Sequence, residues 1–312
     1  EPRILPRRGQ RFVNREVFVS INRPHESTDP ASSSKQANFA DLQPSGSTNG
    51  SAESSGPLFL TAIPVYNEVT HVDHVLDAVK QYSSYILVVD DGSSDGTRDK
   101  LAARPDVRPA GPTLSPGIRV LTHPVNRGYG GALASAFEYA IAHKFQWLVT
   151  IDCDGQHQPQ LICQFVETAE NSDVDIVSGS RYLKKFAGDS DAPAQRRQVN
   201  QRVTEVLNRQ LGFQLTDSFC GFKAYRVSSL KKLHITEFGY GMPLELWVQA
   251  KCHDMKISEI AVPRVYTQET RSFGEALDDM QRRLNYYQQV ITNSLAALPC
   301  PCESGPVPPI VF

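Results

Sequence analysis

From residue 57 onward, short apolar segments alternate with segments of helical periodicity, and this alternation constrains the fold more than any other feature. The apolar segments include LFLTAIPV at 58–65, YILVVDD at 85–91 and QWLVTID at 146–152. Between them, VDHVLDAVKQY at 72–82 and GGALASAFEYAIAH at 130–143 have helical spacing. Strands that are apolar throughout are typical of a parallel sheet covered by helices on both faces, so an α/β fold is predicted.

The remaining predicted elements continue this alternation. The further strands are expected at 118–123, 174–180, 221–227 and 257–263. The further helices are expected at 94–103, 159–169, 198–212, 243–254 and 275–298. The last of these is long and has one apolar stripe, a pattern that favours packing on a protein core over contact with a membrane.

Composition sets the predicted domain boundaries. Residues 1–56 are predicted to be a disordered tail, because nine serines within 27–56 leave little apolar area to bury. The folded α/β domain is predicted at 57–275 and is followed by an amphipathic helix at 276–298. A flexible tail is expected at 299–312.

Charge and cysteine content exclude some classes of protein. The net charge of -2 argues against nucleic acid as a partner, although it does not exclude a small anionic ligand. No apolar run approaches the roughly 18 residues that a membrane-spanning helix needs. The six cysteines lack the paired spacing of a zinc site and are expected to be reduced thiols. A cytoplasmic location is therefore expected.

A D-x-D sequence follows one of the predicted strands, within DCDGQHQP at 152–159. Residues two apart in an extended segment point to the same side, so Asp152 and Asp154 can reach one ligand. With the side-chain oxygen of Gln156 they offer the ligands that Mg²⁺ or Mn²⁺ prefers. The structural alternative is that Asp152 only caps a helix or forms a turn. His157 is expected to be a hydrogen-bond partner of a metal ligand.

Two further motifs also lie at predicted strand ends, where ligands of such sheets bind. In VVDDGSSDGT at 88–97, Asp90 and Asp91 offer carboxylates that can accept hydrogen bonds from a nucleobase. In NRGYGGAL at 126–133, three glycines open a helix whose backbone N–H groups suit a phosphate. The dinucleotide fingerprint fails at Leu133, and no GK[ST] follows, which argues against an NAD enzyme and a P-loop ATPase.

Together with IPVYNE at 63–68, GSRY at 179–182 and DSFCGFKAYR at 217–226, these motifs resemble family 2 glycosyltransferases. The similarity is greatest to the dolichol-phosphate mannose synthase and polyprenyl-phosphate glycosyltransferase group, and it covers about residues 57–275. The resemblance implies a GT-A fold, a Rossmann-like sheet that binds a nucleotide sugar, here with helices on both faces and a long C-terminal helix.

The resemblance also implies a role for each matching residue. The donor would be held by Pro64, Tyr66, Glu68, Asp90 or Asp91, Asn126, Gly128 and Asp152. The divalent ion, Mg²⁺ or Mn²⁺, would be held by Asp152, Asp154 and Gln156. The acceptor would be held by Arg181, Arg196 or Arg197, Asp217 and Arg271. The expected catalytic residues are Asp154, Arg181 and Glu245, the last as a base for a hydroxyl acceptor.

The implied reaction is metal-dependent, inverting transfer of a hexose from GDP-mannose or UDP-glucose. A polyprenyl or dolichyl phosphate acceptor would place the enzyme at a membrane surface. Two departures weaken this acceptor, since Ala276 and Leu277 replace a Ser-Lys pair of the group and Asn200 replaces a serine. The alternatives are a saccharide hydroxyl acceptor and a degenerate sugar-nucleotide-binding protein. A nucleotidyltransferase is disfavoured, because IPVYNE lacks a triphosphate-binding loop.

Overall fold

The computed structural model describes residues 58–266 and 275–297. Within these residues one sheet contains β1 (Phe59–Val65), β2 (Tyr85–Asp90), β3 (Val107–Pro109), β4 (Gly117–Thr122), β5 (Trp147–Thr150), β6 (Ile176–Ser180), β7 (Lys223–Arg226) and β8 (Ile257–Ala261). The helices there are α1 (Val72–Val79), α2 (Thr97–Ala103), α3 (Tyr129–Ala142), α4 (Ile162–Asn171), α5 (Ala194–Leu211), α6 (Val227–Leu230), α7 (Met242–Cys252), α8 (Glu275–Asp278) and α9 (Met280–Ala297). Arg271 and the predicted tails at 1–56 and 299–312 lie outside the described residues.

The strand order is β3-β4-β2-β1-β5-β7-β6-β8. Among the described strands, β1 pairs in parallel with β2 and β5, and β2 with β4. β3–β4 and β6–β8 are also parallel pairs, so the predicted parallel sheet is confirmed for these strands. Helices cover both faces, because Leu60 and Ala62 of β1 join one core cluster and Ile63 and Val65 join another.

β7 is the exception, since it runs antiparallel to both β5 and β6. Its first residue, Lys223, pairs with Thr150 and Ser178 near the carboxyl ends of those two strands. The chain therefore enters β7 from the carboxyl edge of the sheet and has to run back across it. β7 thus departs from the parallel pairing of the other strands, and the reversal brings residues 217–222 to the ligand-binding edge.

The C-terminal helix α9 packs against α5 and α7. Its buried side chains include Leu284, Tyr287 and Ile291, which belong to the larger core cluster. The predicted apolar stripe therefore covers protein core. Among the helices of 58–266 and 275–297, none is both long and apolar enough to cross a bilayer.

The cysteines differ in their chemical state. Cys163 and Cys220 carry thiols, as does Cys153 beside the D-x-D aspartates. Cys252, at the end of α7, is disulfide-bonded. The expectation of reduced thiols is wrong for Cys252, because sequence spacing carries no information on which cysteines the fold brings together.

Candidate active site

A cavity of about 670 Å³ opens at the carboxyl ends of the central strands. We call it the strand-end cavity, and its volume suits a small-molecule site. Residues predicted to bind the donor that line it are Pro64, Tyr66, Glu68, Asp91, Asn126, Gly128 and Asp152. Of the other predicted residues, it is lined by Asp154, Gln156, Arg181 and Arg196. The fold thus brings together motifs that are far apart in the sequence.

Asp152 follows β5 and is held by two hydrogen bonds on its two oxygens. Tyr129 donates its hydroxyl to Oδ1 at 3.3 Å, and Nε2 of His157 lies 3.1 Å from Oδ2. The predicted hydrogen bond between His157 and an acid of the D-x-D is therefore present. Burial, with the Asp152 charge as a second cause, raises the pKa of Tyr129 well above its ordinary value. Tyr129 thus remains a proton donor to Asp152.

Asp154 lies in a tight turn and lines the cavity. Its Oδ1 accepts a hydrogen bond from the backbone N–H of Gln156 at 3.0 Å. Gly155, between them, has φ +69°, a left-handed conformation that favours glycine. The turn fixes the direction of the Asp154 carboxylate, which is only 9% exposed.

The side-chain oxygens of Asp152 and Asp154 suit a divalent ion that also binds a phosphate group of the substrate. Among the described residues, no group of three or more His, Cys, Asp and Glu side chains is arranged to hold a metal by itself. Mg²⁺ is commonly bound by one or two carboxylates while substrate phosphates and water complete its shell. Asp152 and Asp154 supply such a pair beside the cavity.

The two aspartates after β2 have different roles. Asp90 is fully buried, accepts the Ser93 N–H at 3.0 Å and pairs with Nε of Arg98 at 3.0 Å. Asp91 lines the cavity, so of the two predicted donor-binding acids only Asp91 faces it. The placement argues against Asp90, whose oxygens are used to hold the turn.

Asp91 also anchors the loop that follows β4. Its Oδ1 lies 2.6 Å from Nδ1 of His123 and accepts the Arg127 N–H at 2.9 Å. Its Oδ2 accepts the Gly128 N–H at 2.8 Å. Nε2 of His123 is 2.9 Å from the Ser135 hydroxyl on α3. Asp91 therefore ties the NRGYGG segment to β2 as well as facing the cavity.

The glycines that open α3 permit a close backbone approach. Gly130 and Gly131 donate their N–H groups to the Phe238 carbonyl at 2.8 and 3.3 Å. A Cβ on Gly130 would lie 2.3 Å from the Glu237 carbonyl oxygen. These N–H groups are already used, which argues against the predicted phosphate cradle at this helix start. Gly128 and Asn126 still line the cavity.

Arg181 is fixed by a two-pronged ion pair. Its Nε donates to Oδ2 of Asp217 at 2.7 Å and its Nη2 to Oδ1 at 2.9 Å. Asn200 donates to the same Oδ1 at 2.6 Å. Asp217 is fully buried and is not part of the cavity lining, so it positions Arg181 instead of touching a ligand.

The ion pair also determines the ionisation of Asp217. Burial alone would raise the pKa of Asp217, but the Arg181 charge and the hydrogen bonds outweigh burial and hold the pKa at about 2. The ordinary value is 3.8. Because the folded-state pKa is lowered, the ionised carboxylate stabilises the fold above about pH 4, and this contribution is lost as the pH falls towards 2.

We expect Asp217→Asn to lower the free energy of unfolding by about 3 kcal/mol at pH 7, because it leaves the half-buried Arg181 charge without its counter-charge. The penalty should shrink between about pH 4 and pH 2, where wild-type Asp217 itself takes up a proton. Urea unfolding of both proteins across this range measures it. Asp173→Asn, which removes the exposed pair with Lys256, is the control and should change little. A pH-independent penalty would contradict this assignment.

Two other predicted residues are placed away from the cavity lining. Both carboxylate oxygens of Glu245 are used, by the Thr236 N–H at 2.9 Å, the Thr236 hydroxyl at 2.6 Å and the Glu237 N–H at 2.8 Å. This argues against Glu245 as a general base, since the side chain holds the segment before α7. Arg197 is exposed, whereas Arg196 lines the cavity. Of the two arginines at the start of α5, Arg196 is therefore the candidate.

Sequence reasoning missed several residues of the cavity. Phe219, Tyr240 and Tyr287 give it an aromatic wall, and Tyr129 stacks near Tyr240 with ring centroids 6.3 Å apart. Arg283 of α9 also lines it and is 4% exposed. The sequence does show that Arg283 is a charged residue beside the apolar stripe of α9. The stripe does not show which part of the protein the helix packs against, so the place of Arg283 in the cavity wall could not be predicted.

Comparison with known proteins identifies the family. The family model described as "Glycosyl transferase family 2" matches residues 61–234, more than half of the chain. "Undecaprenyl-phosphate mannosyltransferase" of Micrococcus luteus is 30% identical over 226 residues, which are 70% of this chain and 86% of that protein. "Polyprenol monophosphomannose synthase" of Mycolicibacterium smegmatis is 29% identical over 65% of this chain and 76% of its own length. The chain belongs to glycosyl transferase family 2.

A solved structure supports the fold. Glucosyl-3-phosphoglycerate synthase from Mycobacterium tuberculosis, crystallised with Mn²⁺ and UDP-glucose, superposes with a TM-score of 0.57. The match covers 77% of this chain and 80% of that one at 18% identity, so it establishes a shared fold. The shared fold confirms the predicted GT-A fold, and the family match over residues 61–234 confirms the predicted enzyme class, a family 2 glycosyltransferase.

Proposed function

We propose that the enzyme transfers a hexose from a nucleoside diphosphate sugar, GDP-mannose or UDP-glucose, to the phosphate of a polyprenyl phosphate. The observation that carries this proposal is the pairing of two side-chain sets in the strand-end cavity. Its wall includes the D-x-D carboxylates as well as Arg181 and Arg196. The names of the relatives, which refer to undecaprenyl phosphate and polyprenol, support it.

At the donor part of the cavity, Pro64, Tyr66 and Glu68 would hold the base and ribose, while Asp91 would hold the NRGYGG segment beside them through its bonds to the Arg127 and Gly128 N–H groups. Asp152 and Asp154, with Gln156, would bind Mg²⁺ or Mn²⁺. The ion would neutralise the charge that develops on the leaving nucleoside diphosphate. Tyr129 and His157 would keep the Asp152 carboxylate in one orientation through their hydrogen bonds.

At the acceptor part, Arg181 and Arg196 would bind the phosphate, since a guanidinium matches phosphate oxygens with its forked N–H groups. An ionised phosphate is already a nucleophile and needs no general base. The hydrogen bonds that occupy Glu245 are consistent with this mechanism. One displacement at the anomeric carbon would invert its configuration. A lipid acceptor would bring the enzyme into peripheral contact with a membrane.

The test is a transfer assay with GDP-mannose and UDP-glucose as donors. Each is offered with one of three acceptors, in the presence of Mn²⁺ or EDTA. The acceptors are farnesyl phosphate, which is a short polyprenyl phosphate, farnesol, and a saccharide with free hydroxyl groups. We expect sugar transfer from one donor to farnesyl phosphate, with Mn²⁺ only, and none to farnesol. Transfer to a saccharide hydroxyl instead would support the alternative acceptor. Metal-dependent nucleotide binding without turnover would indicate a degenerate binding protein.

A further inference from the structure

Arg283 is a buried cation outside the residues that the family model matches. It lies on α9, beyond the matched residues 61–234. Its side chain is 4% exposed and still lines the strand-end cavity, together with Arg181 and Arg196. Its guanidinium adds a third positive charge to a wall that already carries Arg181 and Arg196, and a wall lined by charges of one sign suits an anionic ligand.

The packing of α9 places Arg283 at the acceptor part of the cavity. α9 contacts α5, the helix that carries Arg196. Tyr287, one turn further along α9, packs on Phe219 with ring centroids 5.0 Å apart. Phe219 follows Asp217 by two residues, and Asp217 holds Arg181. These contacts connect α9 to the arginine side of the cavity.

Arg181 needs help to surround a phosphate. Its Nε–H and one N–H of Nη2 donate to Asp217, so three of its five N–H groups remain for a ligand. A phosphate monoester has three terminal oxygens, each able to accept more than one hydrogen bond. These oxygens accept more hydrogen bonds than three N–H groups can supply, so donors from a second and a third residue would add to the binding, and the cavity has Arg196 and Arg283 in its wall.

We propose that Arg283 donates hydrogen bonds to the phosphate monoester of the acceptor, which makes α9 part of the acceptor site. This inference rests on the proposed function for the identity of the acceptor as a polyprenyl phosphate. The shared chemistry is the phosphate monoester, which a water-soluble acceptor could also present. The experiment therefore includes both kinds of phosphate.

The test compares the full-length wild type with Arg283→Met and with Arg282→Met. Arg282 is the adjacent residue of α9 and is exposed, so the same change there is a matched control. Calorimetry measures binding of farnesyl phosphate, farnesol, phosphoglyceric acid and UDP with Mn²⁺. Loss of charge-assisted hydrogen bonds should weaken farnesyl phosphate binding about 10- to 100-fold in Arg283→Met. Binding of farnesol and of UDP should not change, and Arg282→Met should match the wild type.

The outcomes separate this inference from the proposed function. Equal farnesyl phosphate binding in the wild type and Arg283→Met overturns the role of Arg283 alone. An equal loss for farnesol also overturns it, because the residue would then only pack. Loss of UDP binding alone would place Arg283 at the donor and overturn it too. If the wild type binds phosphoglyceric acid instead, and Arg283→Met loses that binding, Arg283 is supported while the polyprenyl acceptor is overturned.

A measurement on the wild type does not depend on the folding of a variant. Backbone amides of α9 should exchange hydrogen more slowly when farnesyl phosphate is bound, because the ligand would connect α9 to α5. Farnesol, which lacks the phosphate, should give less protection there. Equal protection by the two ligands would overturn the inference even if Arg283→Met failed to fold.

Discussion

Asp154→Asn is expected to lower kcat/KM by about 100- to 1,000-fold, the range found when one group that stabilises developing charge is removed. The substituted amide oxygen can still accept the Gln156 N–H, so the turn after β5 should persist. The charge that would bind Mg²⁺ or Mn²⁺ is lost. The thermal shift that UDP or GDP produces with Mn²⁺ should therefore disappear, while the melting temperature without ligand changes little.

The control for Asp154→Asn is Asp99→Asn, which removes an exposed carboxylate on α2. It should leave both transfer and the thermal shift with Mn²⁺ unchanged. EDTA added to the wild type should reproduce the loss seen in Asp154→Asn. The assignment of Asp154 to the ion would be contradicted if Asp154→Asn gave the same thermal shift as the wild type with Mn²⁺ and lost that shift with EDTA.

The order of the elements could be predicted because strands and helices leave periodic patterns in the sequence. The runs at 58–65, 85–91 and 146–152 are apolar throughout, as strands buried on both faces must be. The direction of β7 could not be predicted. Its apolar pattern is the same for either direction, and only the contacts of residues 217–222 determine from which edge the chain enters.

Some features of the candidate site could likewise be predicted from the sequence, and others could not. The approach of Asp152, Asp154 and His157 could be predicted, since all three lie in one short segment. Whether a carboxylate is available to a ligand could not, because this depends on hydrogen bonds from distant segments. From the sequence, Asp90 and Glu245 were both candidates for contact with a ligand. In the structure, however, Asp90 binds Arg98, and Glu245 binds the segment at 236–237.

Gly221→Ala tests whether the orientation of Asp152 matters, without removing any functional group. A Cβ on Gly221 would lie 2.2 Å from Oδ2 and 2.5 Å from Oδ1 of Asp152. The backbone at Gly221 is held, because its carbonyl accepts the Thr150 hydroxyl at 2.7 Å. The Asp152 carboxylate is the end of a side chain that can rotate, so we expect it to move away and to lose its bonds to Tyr129 and His157.

A displacement of about 1 Å at a reacting group can lower the rate about 100-fold, and we expect a decrease in kcat/KM of that size for Gly221→Ala. The free energy of unfolding should change by only about 1 kcal/mol, because the strain is relieved into the cavity. Transfer assays and urea unfolding measure the two effects. Gly188→Ala is the control, since a Cβ there has no atom within 4 Å. Wild-type activity in Gly221→Ala would show that transfer tolerates other orientations of Asp152, whereas a large loss of stability would mean that the backbone, and not the carboxylate, gives way.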